Sequence, residues 1–387
     1  MHYLLAAVLF FGVLTLWVPG YWAVAVFEVG MFVLAAVAMF RSIRTPPRFA
    51  YPLAPLLFAV LWGLFQWGTG RTVSPFETRI GLARWTTVLA VFITGWVLFQ
   101  DERMHRWFRT AMLWFGFLVA VLATLQSFTA GGRVFWIFQT EGIERVMGPI
   151  LYYNHYAAFI ELALPLAIYG SMTRKRESLV YACMAAAMYA SVIACASRAG
   201  LILTSIEIVA VGALLWLRGR TSGRAVGRSL ARVVLLLAVF TVVVGWGRIW
   251  ERIQTPDPFA TRREFDISSV HMIAARPWFG FGLGTWPTVY PAYAIIDTGK
   301  FANRAHSDWL EWTADGGLPF GIAMVTLFLW CVRSASGSVW GIGVIAVFLH
   351  ATEDYPFSRP ALAAWTVVMI ALLATRKRHW GAALGDQ

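Results

Sequence analysis

Charge is what this sequence has least of. Of its 387 residues only 13% are Asp, Glu, Lys or Arg, about half the share of a soluble domain. A chain so poor in charge, with 59% apolar residues, cannot cover itself in polar groups, which excludes a soluble enzyme. Cysteine is scarce as well. Cys183, Cys195 and Cys331 fall in or beside apolar segments and read as small core residues, not bridges or metal ligands. Spaced His/Cys/carboxylate clusters of the zinc kind are missing. There is no repeat of fixed period and no inverted-repeat signature, which weakens a transporter reading. Lysine is nearly absent: only Lys175, Lys300 and Lys377 stand among 32 basic residues.

Long apolar runs are what the chain has instead. Stretches of about 16–22 apolar residues recur from Met1 to Thr375, the length that spans a hydrocarbon core of ~30 Å. The pattern predicts an all-α, polytopic integral membrane protein with about twelve transmembrane helices. Two lie within residues 1–40, broken at Pro19-Gly20; without a basic segment before it, the first reads as an uncleaved helix. The others are expected near 50–67, 80–99, 110–128, 155–171, 178–196, 201–217, 233–247, 317–332, 338–351 and 361–375.

The net charge of +12 suits nucleic acid on a soluble protein, but here most of it follows alternate connections. Arg41/Arg44/Arg48, Arg103/Arg106/Arg109, Arg174/Lys175/Arg176, the run Arg218 to Arg232, Arg333 and Arg376/Lys377/Arg378 share one side. That side is cytoplasmic by the positive-inside tendency, so both termini are expected there and no nucleic acid is implied. The organisation is then residues 1–247 with nine helices and a medium outer loop (about 130–154), a long outer loop over 248–316 with short helices, and 317–387 with three helices and a cytoplasmic tail. A loop of roughly 70 residues is usually functional. It also holds Arg248, Arg252, Arg262, Arg263, Arg276, Lys300 and Arg304, which the positive-inside tendency does not explain.

Five constellations could carry chemistry. Glu144-Arg145-Val146-Met147-Gly148-Pro149 and Tyr152-Tyr153-Asn154-His155 lie where the medium loop enters a helix; Asn154 is a possible N-cap, and an interfacial Arg and Tyr belt is the plainer reading. Ser197-Arg198-Ala199-Gly200 joins two spans with almost no loop. An arginine at that depth needs a partner or an aqueous cavity, unless it snorkels to the headgroups. Ala199 and Gly200 would allow the close approach that a phosphate requires. The glycines of Arg276-Pro277-Trp278-Phe279-Gly280-Phe281-Gly282-Leu283-Gly284 lack the strand and helix of a dinucleotide fold, so a turn laid on other helices or the membrane is expected. In Asn303-Arg304-Ala305-His306-Ser307-Asp308-Trp309-Leu310-Glu311-Trp312, His306 and Leu310 share a face at helical spacing, and Gly316-Gly317 ends that helix. Histidine is best placed to take a proton near neutral pH, although a lone interfacial histidine is commonly structural. Last, His350, Glu353, Asp354 and Arg359 surround an outer turn, where acid–base chemistry and a capped turn with an Arg partner explain them equally.

In this order the motifs resemble the O-antigen ligase/polymerase superfamily of bacterial envelope glycosyltransferases. The resemblance rests on Arg145 with Gly148 and Asn154, the Ser197–Gly200 box, Arg276-Pro277 with Phe279–Gly282, Ala305–Asp308 with Leu310 and Gly316, and Leu349-His350 through Phe357. It implies a GT-C-like fold and a glycan donor on polyprenyl (undecaprenyl) diphosphate. Transfer would occur at the periplasmic face of the inner membrane, without metal or other cofactor. Arg145 and Arg198 match the diphosphate-binding arginines and His306 the general base; Asn154, Ser197, Arg276, Asp308 and Asp354 are supporting candidates. The acceptor is lipid A–core for a ligase and a second repeat unit for a polymerase. Some polymerases carry an arginine with a glycine sixteen positions later in both outer loops; that spacing is missing here, which leans towards a ligase. A protein-glycosylating relative and a non-enzymatic anion or lipid-glycan transporter, using Glu28, Glu161 and Glu207, remain as alternatives.

Overall fold

A computed structural model describes residues 1–43, 45–140, 146–219, 222–244, 254, 260–296 and 301–376. Within them the protein is helical, apart from a two-residue-per-strand hairpin pairing Arg133–Val134 with Phe138–Gln139. In chain order the helices are α1 (His2–Leu14), α2 (Tyr21–Ser42), α3 (Leu53–Gly68), α4 (Pro75–Leu98), α5 (Glu102–Thr129), α6 (Tyr153–Thr173) and α7 (Ser178–Cys195). There follow α8 (Arg198–Leu217), α9 (Gly223–Val244), α10 (Ala260–Ala275), α11 (Trp286–Val289), α12 (Asp308–Ala335), α13 (Val339–His350) and α14 (Pro360–Thr375).

Seven of these, α2, α4, α5, α6, α7, α8 and α12, are long and apolar enough to cross a bilayer. The described helices therefore make this a polytopic membrane protein, but they do not establish twelve spans. α1, α3, α13 and α14 are apolar but only 10–17 residues long; at 1.5 Å per residue they fall short of ~30 Å. Helix ends also differ from hydropathy ends. Arg103, Arg106 and Arg109, expected in a connection, occupy the first turns of α5, and Arg224, Arg228 and Arg232 lie on one face at the start of α9. Helices continue into the polar interface, where only the apolar pattern stops.

α6 is the axis of the bundle, buried over nearly its whole length, with α7, α8, α13 and α5 packed on it. α14, equally buried, lies against α4, which also carries α2 and α3. Outward faces keep apolar stripes at helical spacing: Val26, Val29, Val33 and Val37 on α2, or Ile202, Ile206 and Val209 on α8, are exposed. In water such stripes would be a liability; against lipid they are expected.

The long loop has a small core of its own. Phe265 and Met272 of α10 pack with Phe281, Trp286, Tyr290 and Ala305. Glu264 pins it by accepting from Tyr290 Oη at 2.5 Å, Ser268 Oγ at 2.9 Å and Ile295 N at 3.1 Å. The glycine-rich turn lies on other helices, as expected: Gln66 of α3 donates to Phe279 O (2.7 Å) and Asp315 O (2.9 Å), and accepts from Leu283 N (3.2 Å). Gly280 has φ 65°, and a Cβ there would stand 2.3 Å from Asp315 O. α12 breaks at Gly317 (φ 73°, ψ 178°), where the Pro277–Trp278 backbone crosses so closely that a Cβ would meet Trp278 C at 2.6 Å. The expected helix end at Gly316-Gly317 is thus a break within a longer helix.

Candidate functional site

His306 and Asp354 meet, although 48 positions apart, with Nδ1 of His306 3.7 Å from Oδ1 of Asp354. His306 is not on a helical face with Leu310. It precedes the N-cap Ser307, whose Oγ accepts from Leu310 N at 3.5 Å, and has φ 56°, the left-handed region. That conformation disfavours most side chains and, outside glycine, recurs where structure or function demands it. His155 of α6 faces the same carboxylate, its Nε2 4.0 Å from Oδ1. The Asp354 side chain is fully buried, whereas the His306 side chain keeps 23% exposure.

Aromatic rings wall the cluster. Phe265 of α10 stacks on His306 at 5.7 Å with 10° between planes, and Tyr355 meets it edge-on at 4.9 Å. Tyr152 lies 4.7 Å from His155 and 5.9 Å from Tyr355, ring to ring. Burial opposes charge on Asp354, but His306, His155 and His350 outweigh it and hold the carboxyl below its ordinary value. Burial, with the Asp354 charge nearby, pushes the Tyr152 and Tyr355 hydroxyls up, so both stay neutral donors.

Asp308 fixes this arrangement. Its N–H donates to Ala351 O (3.0 Å) and Asp354 O (3.1 Å). Its carboxylate accepts from Phe357 N (2.8 Å) and Ser358 Oγ (3.0 Å). The segment holding His306 and the turn holding Asp354 are therefore one hydrogen-bonded unit. Glu311 accepts from Arg304 Nη1 (2.6 Å) and Ala305 N (3.1 Å). Burial disfavours the Arg304 charge, yet Glu311 overcompensates and raises its pKa.

Asn154 and Ser197 also come together, in roles that differ from expectation. The N-cap of α6 is Tyr152. Asn154 sits inside the helix and accepts from Ser197 Oγ at 2.8 Å, while Ser197 caps α8 by accepting from Gly200 N at 3.1 Å. The close approach at Gly200 is to α6: a Cβ there would fall 2.3 Å from Ala157 Cβ. Small size at this position serves this helix contact. Arg198 is the first residue of α8 and half-buried. Arg276 is exposed and lies over the Phe281 ring at 4.7 Å. Arg145 lies outside the described residues.

Beside the histidines opens a cavity of about 590 Å³, lined by Tyr152, His155, Arg84, Arg304, Arg359 and the α1–α2 helices. Arg84, in α4, carried no role in the sequence reading. Its signal was available: like Arg198, it is an arginine within an apolar span. Arg304, Arg359, Tyr152 and His155 lie inside the sequence motifs described above, which gave them no function of their own.

Residues 182–326 match the family model for O-antigen ligase. The match takes in Arg198, Arg276, His306 and Asp308, while Arg145, Asn154 and Asp354 lie outside it. No curated protein matches the chain.

Proposed function

We propose that this membrane protein, which carries an O-antigen ligase domain over residues 182–326, is an inverting, metal-independent glycosyltransferase of the ligase type. It would move a glycan from undecaprenyl diphosphate to an acceptor hydroxyl, with lipid A–core as the acceptor. The domain's family implies glycosyltransferase activity and lipid-linked glycan substrates. What supports the finer reading is the contact between a partly exposed His306 and a buried, ionised Asp354.

Asp354 faces the Nδ1 edge of the imidazole at 3.7 Å, and the far nitrogen, Nε2, would take the acceptor's proton. The freed oxygen attacks the anomeric carbon as the bond to the lipid diphosphate breaks. One displacement inverts that carbon. Charge grows on the departing diphosphate, and Arg198, with Arg145, balances it through planar, bidentate and permanently charged forks. The same reading includes a GT-C-like bundle in which the shorter apolar helices add crossings, cytoplasmic termini and a site at the periplasmic face. Reporter fusions near Thr140 and Thr285 then read the outer side, and fusions after Arg106 and Lys175 the cytoplasm; a cytoplasmic Thr285 would sink the assignment.

A transporter reading needs intramembrane acids along a path. Of the three acids, Glu28 lines the cavity, but Glu161 is engaged by His350 Nδ1 at 2.7 Å and neither Glu161 nor Glu207 lines it, so the three do not share one path.

The direct test offers purified protein an undecaprenyl-diphosphate glycan, with lipid A–core or a second repeat unit as acceptor, and weighs the product. His306→Asn keeps a residue tolerant of the left-handed backbone and should lower turnover by roughly 10²–10⁴ while donor affinity holds. Near-normal turnover in a folded His306→Asn protein would remove the histidine from the chemistry.

A further inference from the structure

Buried polar groups without partners also stand at the end of the bundle away from the histidines. α13 has 12 residues, so about 18 Å separate its ends. His350, which closes it, pairs with Glu161, and Ser338 opens it. Ser338 has the extended backbone of an N-cap (φ −152°, ψ 125°) but makes no side-chain capping bond. Its Oγ is buried and has no partner. An N-cap hydroxyl lies beside the first-turn N–H groups, the place where a helix best receives negative charge.

Arginines border the same turn. The Arg109 guanidinium, two turns into α5, lies over the Trp340 ring at 4.4 Å. Its Nε is buried without a partner. Among the described residues Arg109 forms no ion pair, and Glu102, at the head of the same helix, is exposed. On the other flank Arg376, which follows α14, packs so tightly on Gly337 that a Cβ there would run into its guanidinium. Arg218 Nη2 donates to Ser336 O, one position further back.

The positive-inside tendency accounts for exposed arginines such as Arg224 and Arg228. It gives no reason for Arg109 to stand half-buried against a tryptophan, with one nitrogen unsatisfied in the packed interior. Burying a donor without an acceptor is costly, and more so when it is charged. Guanidinium forks, an unused N-cap hydroxyl and a helix N-terminus together present donors and positive charge to one small region. A tetrahedral oxyanion, with several acceptor oxygens on one centre, meets all of them at once.

We propose that the first turn of α13 binds a phosphate group, with Arg109 and Arg376 holding its oxygens and the Ser338 hydroxyl donating to one of them. The site stands apart from the histidines and does not depend on the glycosyl-transfer reading. A lipid headgroup and a soluble phosphate both carry this group.

The test has two arms, both on the full chain. Native mass spectrometry compares binding of phosphatidylglycerol with that of a glucosyl diacylglycerol of the same acyl chains, which has no phosphate. Thermal unfolding compares inorganic phosphate with chloride at equal ionic strength. Wild type should favour phosphatidylglycerol ~10–100-fold, the range of hydrogen bonds to a charged group, which assigns the site to lipid; stabilisation by inorganic phosphate alone assigns it to a soluble phosphate. Arg109→Gln and Ser338→Ala should each remove most of whichever response is seen, while Arg224→Gln, on an exposed basic face, should change it less than about twofold. No response in either arm overturns the proposal with no need of a variant. A loss in Arg224→Gln as large as in Arg109→Gln overturns it too, as general attraction to a basic surface. Should Arg109→Gln fail to fold, Ser338→Ala still decides, since its hydroxyl bonds to nothing else in the protein: an unchanged response there overturns the site.

Discussion

Removing the Ser197 hydroxyl tests what the Ser197–Gly200 box does. The hydroxyl makes two bonds at once, donating to Asn154 Oδ1 at 2.8 Å and accepting from Gly200 N at 3.1 Å, and both residues are buried. Loss of the N-cap destabilises by ~1 kcal/mol. Loss of the interhelical bond adds ~1 kcal/mol, within the range measured between membrane helices. Ser197→Ala should therefore lower stability by ~2 kcal/mol, as the sum of these two terms. Asn154→Ala breaks the interhelical bond alone, so it should lower stability by ~1 kcal/mol. The double variant should match Ser197→Ala, because the shared bond is lost only once. Their coupling is then ~1 kcal/mol. Unfolding in mixed micelles with rising dodecyl sulfate measures all four proteins. Simple additivity, with coupling below ~0.3 kcal/mol, would show that α6 and α8 are not joined by this pair. The capping role predicts further that Ser197→Thr keeps most of the stability.

Arg198→Ala should abolish transfer and weaken donor binding, and Arg198→Lys should restore little, whereas Arg224→Ala should leave specific activity unchanged; full rescue by lysine would mean that charge alone suffices. Gly280→Ala, with its backbone at φ 65° and a Cβ directed at Asp315 O, should destabilise by more than ~2 kcal/mol, while Gly68→Ala, where nothing lies within 4 Å, should be neutral; equal melting points would refute the crossing described for this turn. For Asp354, whose carboxyl is held below its ordinary value, the stabilising contribution is present above the unfolded value of ~3.9 and is lost as pH falls through the folded one. Thermal unfolding of wild type and Asp354→Asn should thus differ at pH 5–8 and converge only once pH falls below the ordinary carboxylate range, and convergence already at pH 5 would contradict it.

Local features were the readable ones. The glycine-rich turn declared itself because three alternating glycines after Arg276-Pro277 suit neither a span nor a strand. Ser197 sat at the join of two apolar runs, where a cap belongs, yet the cap was expected at Asn154 instead. The extent of α5 was not readable, because hydropathy reports the thickness of the lipid and Arg103 to Arg109 continue the helix beyond it. The contact of His306 with Asp354 joins segments 48 residues apart, and no local spacing encodes such a meeting. Asp354 was as well explained by a turn with Arg359 as its partner. Arg84 was hidden by its neighbours: in a run apolar enough to span, one arginine scarcely alters the count, yet energetically it is the residue that stands out.

Asp308 has one more consequence. Because its backbone and carboxylate tie the His306 segment to residues 351–358, the entropy of bringing histidine and carboxylate together is spent when the chain folds. None of it is left to be drawn from substrate binding at each turnover. On the proposed reaction, an acceptor would thus meet a corner already assembled and would need to order only itself. Discrimination between acceptors then has to reside in how well each fits that corner, and not in whether it can provoke the protein into forming it.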